Sequence, residues 1–283
     1  MADLTAIILT KNESKNIEEC IKSIKGLAKR IVVVDSGSTD DTVDLAIKNG
    51  AEVYYHEFEY YAKQFNWAID NTNIDTKWIL RLDADERFTP ELCKEAEFLM
   101  SKHRDDDVNG LTMEAWLYFL EKKLKHGLSK KRKLMIFKNG KGRIEDRKRD
   151  AHTILFEGRS IHLKEKFIHY DFKDLSSFIA KYNYYSTKEM EDYLDYKLFG
   201  KDQNIKSDEL IQKQRKKKFG IYYKAPRFLR AKLWFIYNYY FKLGFLDGKE
   251  GYIFHYFECY WYRYLVDAKI YEDELIRKKA NDS

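Results

Sequence analysis

The chain has 283 residues, a formal net charge of +6 and 35% charged residues. That is enough chain to bury a large core, and too little net charge to stand alone as a sign of nucleic-acid binding. Cys20, Cys93 and Cys259 are odd in number, widely spaced and without a C-x-x-C pair, which argues against a disulfide framework and a zinc cluster and suits a reducing cytoplasm. The chain opens Met1-Ala2-Asp3-Leu4-Thr5, with no basic-then-apolar signal segment. The apolar stretch around 233–241 contains Asn238 and would span only ~14 Å as a helix. No membrane-spanning helix is expected.

Residues 4–9 form a continuous apolar run of the kind buried in parallel sheets. Ile17, Cys20, Ile21, Ile24 and Leu27 then recur at helical spacing, with Asn12 or Ser14 as candidate caps. A second buried strand covers 31–34. The turn Ser36-Gly37-Ser38-Thr39-Asp40-Asp41 leads into a helix over 43–48, ended by Asn49-Gly50. A third strand at about 52–55, a helix at about 61–71 and a fourth strand at 77–82 follow. Thr89-Pro90-Glu91 is a helix start with a capping residue, proline at the first position and an acid in the first turn. The alternation implies an α/β, Rossmann-like, doubly wound and mostly parallel sheet over roughly 1–100.

From 108 to 172 short strands are expected at 110–120, 134–137 and 153–157, the last continuing to Tyr170. A basic stretch over 122–149 reads as a solvated face. Beyond about Asp174 the chain reads as helical and dense in aromatics. The expected organisation is a catalytic domain over 1–172 and a helical C-terminal region over 173–283. Lysines, arginines and aromatic rings in that region suit a membrane interface or a buried helical subdomain.

Chemistry concentrates where strands end. Strand two stops on Asp35 and strand four on Asp83-Ala84-Asp85, and in open α/β sheets ligands bind at the carboxyl ends of strands. Two residues apart on a strand, Asp83 and Asp85 would share a face and repel by roughly 3 kcal/mol, so a hard cation carrying phosphate oxygens is the expected resident.

Taken with Thr10-Lys11-Asn12-Glu13, the run Val34-Asp35-Ser36-Gly37-Ser38-Thr39-Asp40-Asp41-Thr42 and Asp83-Ala84-Asp85 resemble the family 2 inverting glycosyltransferases of GT-A fold. Gly244-Phe245-Leu246-Asp247-Gly248 resembles the branch that builds bacterial lipopolysaccharide core, O-antigen or capsule sugars. The resemblance implies a UDP-sugar donor, with Asp35 accepting from uracil and Thr10, Asn12, Glu13 and Ser36 lining the same pocket. Gln64 and Asn66 would lie near the donor sugar or diphosphate, and Asp83 at the ribose. Asp85, with Asp83, would hold Mg²⁺ or Mn²⁺, ions that all-oxygen ligation suits better than zinc. Asp150-Ala151-His152 resembles the segment often written Asp-Glu-His, whose acid faces the acceptor. Here Ala151 cannot take a proton, so either Asp150 does the work, or Glu145, Asp146 or Glu157 does, or the chain has lost its base, with His152 kept as a candidate beside Asp150 in sequence.

The implied acceptor is an oligosaccharide or lipid-linked glycan, reached at the inner face of the cytoplasmic membrane by peripheral contact. A sugar-phosphate nucleotidyltransferase is the competing reading, but residues 10–16 hold no glycine to cradle a triphosphate. A nucleic-acid-binding protein is a third, and no module signature supports it.

Overall fold

The computed structural model describes residues 1–128, 132–146, 151–170, 174–199, 220 and 222–281. It divides into two compact units: 1–116 with 130–170, and 117–129 with 171–283.

In the first unit, β1 (Ala2–Thr10), β2 (Ala28–Asp35), β3 (Glu52–Tyr55) and β4 (Trp78–Asp83) alternate with α1 (Ile17–Ile24), α2 (Thr42–Lys48) and α3 (Tyr61–Asn71). The strand order is β3-β2-β1-β4 and each of these pairings is parallel. The two faces sort the apolar residues. Ala6, Ile8, Val33, Leu80 and Leu82 pack with Ile17, Ile21 and Ile24 of α1 and with Leu92 and Ala96 of α4 (Pro90–Lys102). Ile7, Val32, Val34 and Ile79 pack instead with Ala62, Phe65 and Ala68 of α3. A parallel sheet covered on both faces needs apolar residues at every strand position, hence the unbroken runs in the sequence.

Beyond β4 the sheet continues through β8 (Arg132–Lys138), antiparallel to both β4 and β6 (Val108–Phe119), then β11 (Arg159–His169) beside β6 and the two-residue β5 (Glu86–Arg87), antiparallel to β11. β9 (Gly142–Ile144) and β10 (Thr153–Leu155) form a separate hairpin. The single strand expected over 153–170 is therefore two. Gly158 adopts φ +74°, and a Cβ there would stand 2.4 Å from the Asp107 carbonyl oxygen, so the chain turns at a residue that only glycine suits.

Helix entry was part legible. Thr89 caps α4 as expected, its hydroxyl accepting from the Leu92 amide at 3.2 Å. α1 is different: its N-cap is Asn16 and makes no side-chain capping bond, so neither Asn12 nor Ser14 caps it. Both are held instead by the β2–α2 loop. The Asn12 amide donates to Ser38 Oγ (2.8 Å) and the Ser14 amide to Asp40 Oδ2 (3.1 Å).

The second unit holds β7 (Lys122–Leu124), paired with the end of β6, and the helices α5 (Leu175–Phe199), α6 (Leu229–Ile236), α7 (Gly248–His255) and α8 (Tyr262–Asn281). Wider π-type turns follow α6 (Tyr237–Phe241) and α7 (Tyr256–Trp261). Phe119, Phe178, Tyr182, Phe254 and Tyr262 stack into an aromatic core. Among the described residues no helix is long and apolar enough to cross a membrane.

Candidate active site

β1, β2 and β4 end together: Thr10 pairs with Asp35 and Leu9 with Asp83. Asp35 and Asp83 thus flank the end of β1, about 10 Å apart at two inter-strand spacings. The pleat sends Thr10 and Asp35 to the α1/α4 side and Asp83 to the α3 side. A ligand touching both lies across the strand ends, not on either face.

Asp35 is buried and accepts four hydrogen bonds from its own surroundings. Oδ1 takes the amides of Gly37 and Ser38, both at 2.8 Å. Oδ2 takes the hydroxyls of Thr10 (2.9 Å) and Ser38 (2.5 Å). Glu13 bridges the same two loops, its amide donating to Thr42 Oγ1 at 2.8 Å and its carboxylate accepting from Asn16 at 2.9 Å. Burial alone would raise the Asp40 carboxyl, but hydrogen bonds from Thr42 and Ser14 hold it at about 2. The loop after β2 is thereby fixed as one hydrogen-bonded unit at the sheet edge.

Gln64 and Asn66 use their amides within the protein. Gln64 is buried, meets His56 Nδ1 at 2.6 Å and donates to Ser36 Oγ and the His56 carbonyl at 3.1 and 2.9 Å. Asn66 exchanges two bonds with the backbone of Ile144, 2.8 and 3.1 Å. The first residue braces Ser36. The second fixes the β9–β10 hairpin, which carries Ala151 and His152 at its returning end.

Asp83 closes β4, while Ala84 and Asp85 form a turn. The two aspartates therefore do not alternate along one strand, contrary to the spacing argument. Glu86 causes the turn: its carboxylate accepts the Asp83 amide at 3.0 Å, and β5 pairs Glu86 with His169. The Tyr170 amide then donates to the Asp85 carbonyl at 2.9 Å.

The Asp83 carboxylate accepts from the Tyr61 hydroxyl (2.7 Å) and from Lys133 Nζ (3.1 Å), and Lys133 also ion-pairs with buried Glu86. Arg81 lies over the Tyr61 ring and donates to its hydroxyl at 2.8 Å. Burial alone would raise Asp83, but the charges of Lys133 and Arg81 win and hold it well below the usual carboxylate range. Burial pushes the Glu86 carboxyl up. Burial alone would lower the Lys133 ammonium, yet Glu86 and Asp83 raise it above its ordinary value.

Asp85 has a different neighbour. Its Oδ2 stands 3.6 Å from Nε2 of His169, which is buried, and His169 Nδ1 has no hydrogen-bond partner. Among the described residues no group of three metal-ligating side chains is assembled. Asp83 is engaged by Lys133 and Tyr61, which leaves Asp85 and His169 as neighbouring donor side chains at this turn. The Asp85 carboxylate fits an Mg²⁺ or Mn²⁺ completed by phosphate oxygens, since such ions are commonly held by one or two carboxylates plus substrate phosphates, with the His169 imidazole a further donor suited to Mn²⁺ rather than Mg²⁺.

On the acceptor side, Asp150 lies outside the described residues. The His152 carbonyl accepts the Glu145 amide at 2.9 Å, and the methyl of Ala151 packs against the α3-side core. Asp146 accepts from the Tyr60 hydroxyl at 2.5 Å, a bond that raises Tyr60 to about 12. Glu157 pairs with Lys141 at the surface.

Sequence reasoning assigned no role to Lys133, Tyr61, Arg81 or Glu86. His169 follows a short strand and reads only as a histidine that could approach the site, and Lys133 reads as part of a solvated basic run. Strand alternation places Arg81 on the face of Asp83.

A mixed α/β sheet with acids and hydroxyls gathered at its carboxyl edge defines a ligand-binding α/β enzyme domain. The sequence model "Glycosyl transferase family 2" matches residues 5–161, more than half of the chain, and the chain belongs to that family. It is a glycosyltransferase of GT-A type, which sets aside the nucleotidyltransferase and nucleic-acid readings. An uncharacterized glycosyltransferase of Rickettsia conorii is 29% identical over 67% of this chain and 70% of its own length. The lipopolysaccharide core biosynthesis glycosyltransferase LpsC of Rhizobium meliloti is 25% identical over 98% of this chain and 95% of its own. A crystal structure of glucosyl-3-phosphoglycerate synthase from Mycobacterium tuberculosis is 20% identical at a TM-score of 0.33, over 41% of this chain and 44% of that one. A likeness at that level says nothing about donor or metal.

Proposed function

We propose that the chain transfers a sugar from a UDP-sugar to a glycan acceptor, lipid-linked or of lipopolysaccharide type, with inversion at the anomeric carbon. The observation that carries this reading is the shared edge of β2, β1 and β4, where Asp35, Thr10 and Asp83 end together in a family 2 chain. The alignment with LpsC along nearly the whole length supports a lipopolysaccharide-type acceptor.

In this reading the loop of Asp35, Ser36, Asn12 and Glu13 forms the floor for the base, and Asp83 meets the ribose. Asp85 and His169 would hold Mg²⁺ or Mn²⁺, which would supply Lewis-acid neutralisation of charge on the departing diphosphate. Asp150 takes the proton of the acceptor hydroxyl as that oxygen bonds to the anomeric carbon and the bond to UDP breaks on the opposite face. His152 lies just before β10. Lys133 and Arg81 keep Asp83 ionised without help from a bound ion.

UDP with Mn²⁺ is expected to raise the melting temperature by about 5–10 °C at a hundredfold excess over its dissociation constant, the equivalent of ~2.7 kcal/mol. UDP without a divalent ion should give a smaller shift. No shift under either condition would refute the donor assignment. Asp150→Asn should leave that shift intact and slow transfer by 10²–10⁴-fold, the usual worth of general-base help. Full turnover in that variant would move the base to another carboxylate.

A further inference from the structure

The tip that follows α6 in the second unit is apolar, exposed and firmly held. Phe241 is 76% exposed and Leu246 55%, and Leu233, Tyr240, Leu243 and Phe245 are exposed beside them. The rings run on without a gap: Tyr239 lies 5.1 Å from Tyr240, 6.3 Å from Phe245 and 5.6 Å from Tyr252.

This exposure is built in. Leu243 sits in the left-handed region at φ 61°, which turns the chain at the apex. The Lys242 carbonyl accepts the Gly127 amide at 2.9 Å. Gly244 packs so closely on His255 that a Cβ would stand 2.8 Å from the imidazole. Asp247 accepts the amides of Lys125 and His126 at 3.0 and 2.9 Å. The motif Gly244-Phe245-Leu246-Asp247-Gly248 thus turns its small and acidic members inward, as braces, and leaves Phe245 and Leu246 in solvent.

Charge identifies what the tip meets. From 229 to 249 the only acid is Asp247, which is buried, and the exposed charges are Lys232, Lys242 and Lys249. Lys242 lies over the Tyr237 ring at 5.1 Å. Apolar apex, tyrosine hydroxyls and lysines together match the layered chemistry of an anionic bilayer surface: acyl chains, headgroups, then negative phosphate. We propose that the 237–246 tip inserts into an anionic lipid interface and anchors this chain as a peripheral membrane protein. The proposal stands independently of the donor assignment.

The test is flotation of the full chain with vesicles of phosphatidylethanolamine and phosphatidylglycerol, and with pure phosphatidylcholine. The wild-type chain should float with the anionic vesicles, less with neutral ones, and lose binding as salt rises. Phe241→Ser with Leu246→Ser should weaken flotation by about tenfold or more, and Lys232→Glu with Lys242→Glu should weaken it by a similar factor on anionic vesicles only. Both variants should melt as the wild type does and keep the UDP-induced shift, which separates this proposal from the donor site. Wild-type protein left in the aqueous phase would overturn the proposal. So would Phe241→Ser with Leu246→Ser floating unchanged, or a vesicle-free dimer that this pair of substitutions abolishes.

Discussion

Replacing Asp85 with alanine is expected to abolish the Mn²⁺-dependent part of UDP stabilisation and to cut transfer by about 10³-fold or more. A cation acting on a leaving diphosphate contributes several kcal/mol of charge stabilisation. Asp83 is a poor substitute, because the Lys133 ammonium already offsets its charge and Tyr61 donates to it. The variant should fold normally, since among the described residues the Asp85 carboxylate has the 3.6 Å approach of His169 to lose, while its carbonyl still receives the Tyr170 amide. His169→Ala should follow the same pattern. Calorimetric titration of UDP with and without Mn²⁺ checks both. Equal UDP affinity in wild type and Asp85→Ala, with the ion present, would refute the cation assignment.

The second large effect falls on stability. Arg230 and Asp267 are both buried in the second unit and joined by bonds from Nε at 2.9 and 3.1 Å and a further one from Nη2. Asp267 also accepts the amide of Phe228 at 2.7 Å, and Arg230 donates to the Tyr223 carbonyl at 3.1 Å. The guanidinium lies over the rings of Tyr222 and Tyr223, at 5.0 and 4.6 Å. Asp267→Ala leaves that cation buried without its counter-ion and should destabilise by about 3–5 kcal/mol, the usual result of breaking a buried pair. Calorimetric unfolding of the whole chain measures it, with the loss in the second unit's transition. A change below about 1 kcal/mol would mean that Arg230 reaches water once its partner is gone.

The parallel half of the sheet was legible because burial on both faces demands apolar residues at every position, and 4–9, 31–34 and 77–82 show it. The α4 start was legible because Thr89-Pro90-Glu91 carries its capping chemistry locally. What escaped depends on partners distant in sequence. Asp85 left the strand because Glu86 hydrogen-bonds the Asp83 amide and pairs with His169, 83 positions later. Lys133 sat in a run of lysines that reads as solvated, yet it neutralises two carboxylates at the end of β4.

Gln64 and Asn66 illustrate a related limit. The resemblance placed them by the donor. In this chain their amides hold Ser36 and the Ile144 backbone, so they shape the loops around the edge. A short side chain with two donors and an acceptor serves either role equally well, and sequence alone does not say which groups lie within reach.

Diffraction from crystals soaked with UDP and Mn²⁺ would decide the matter. Nucleotide density lying over the ends of β2, β1 and β4, its base on the loop after Asp35 and its phosphates toward Asp85 and His169, is the outcome foreseen. UDP lodged anywhere else, or a cation bound away from Asp85, would contradict the site described above.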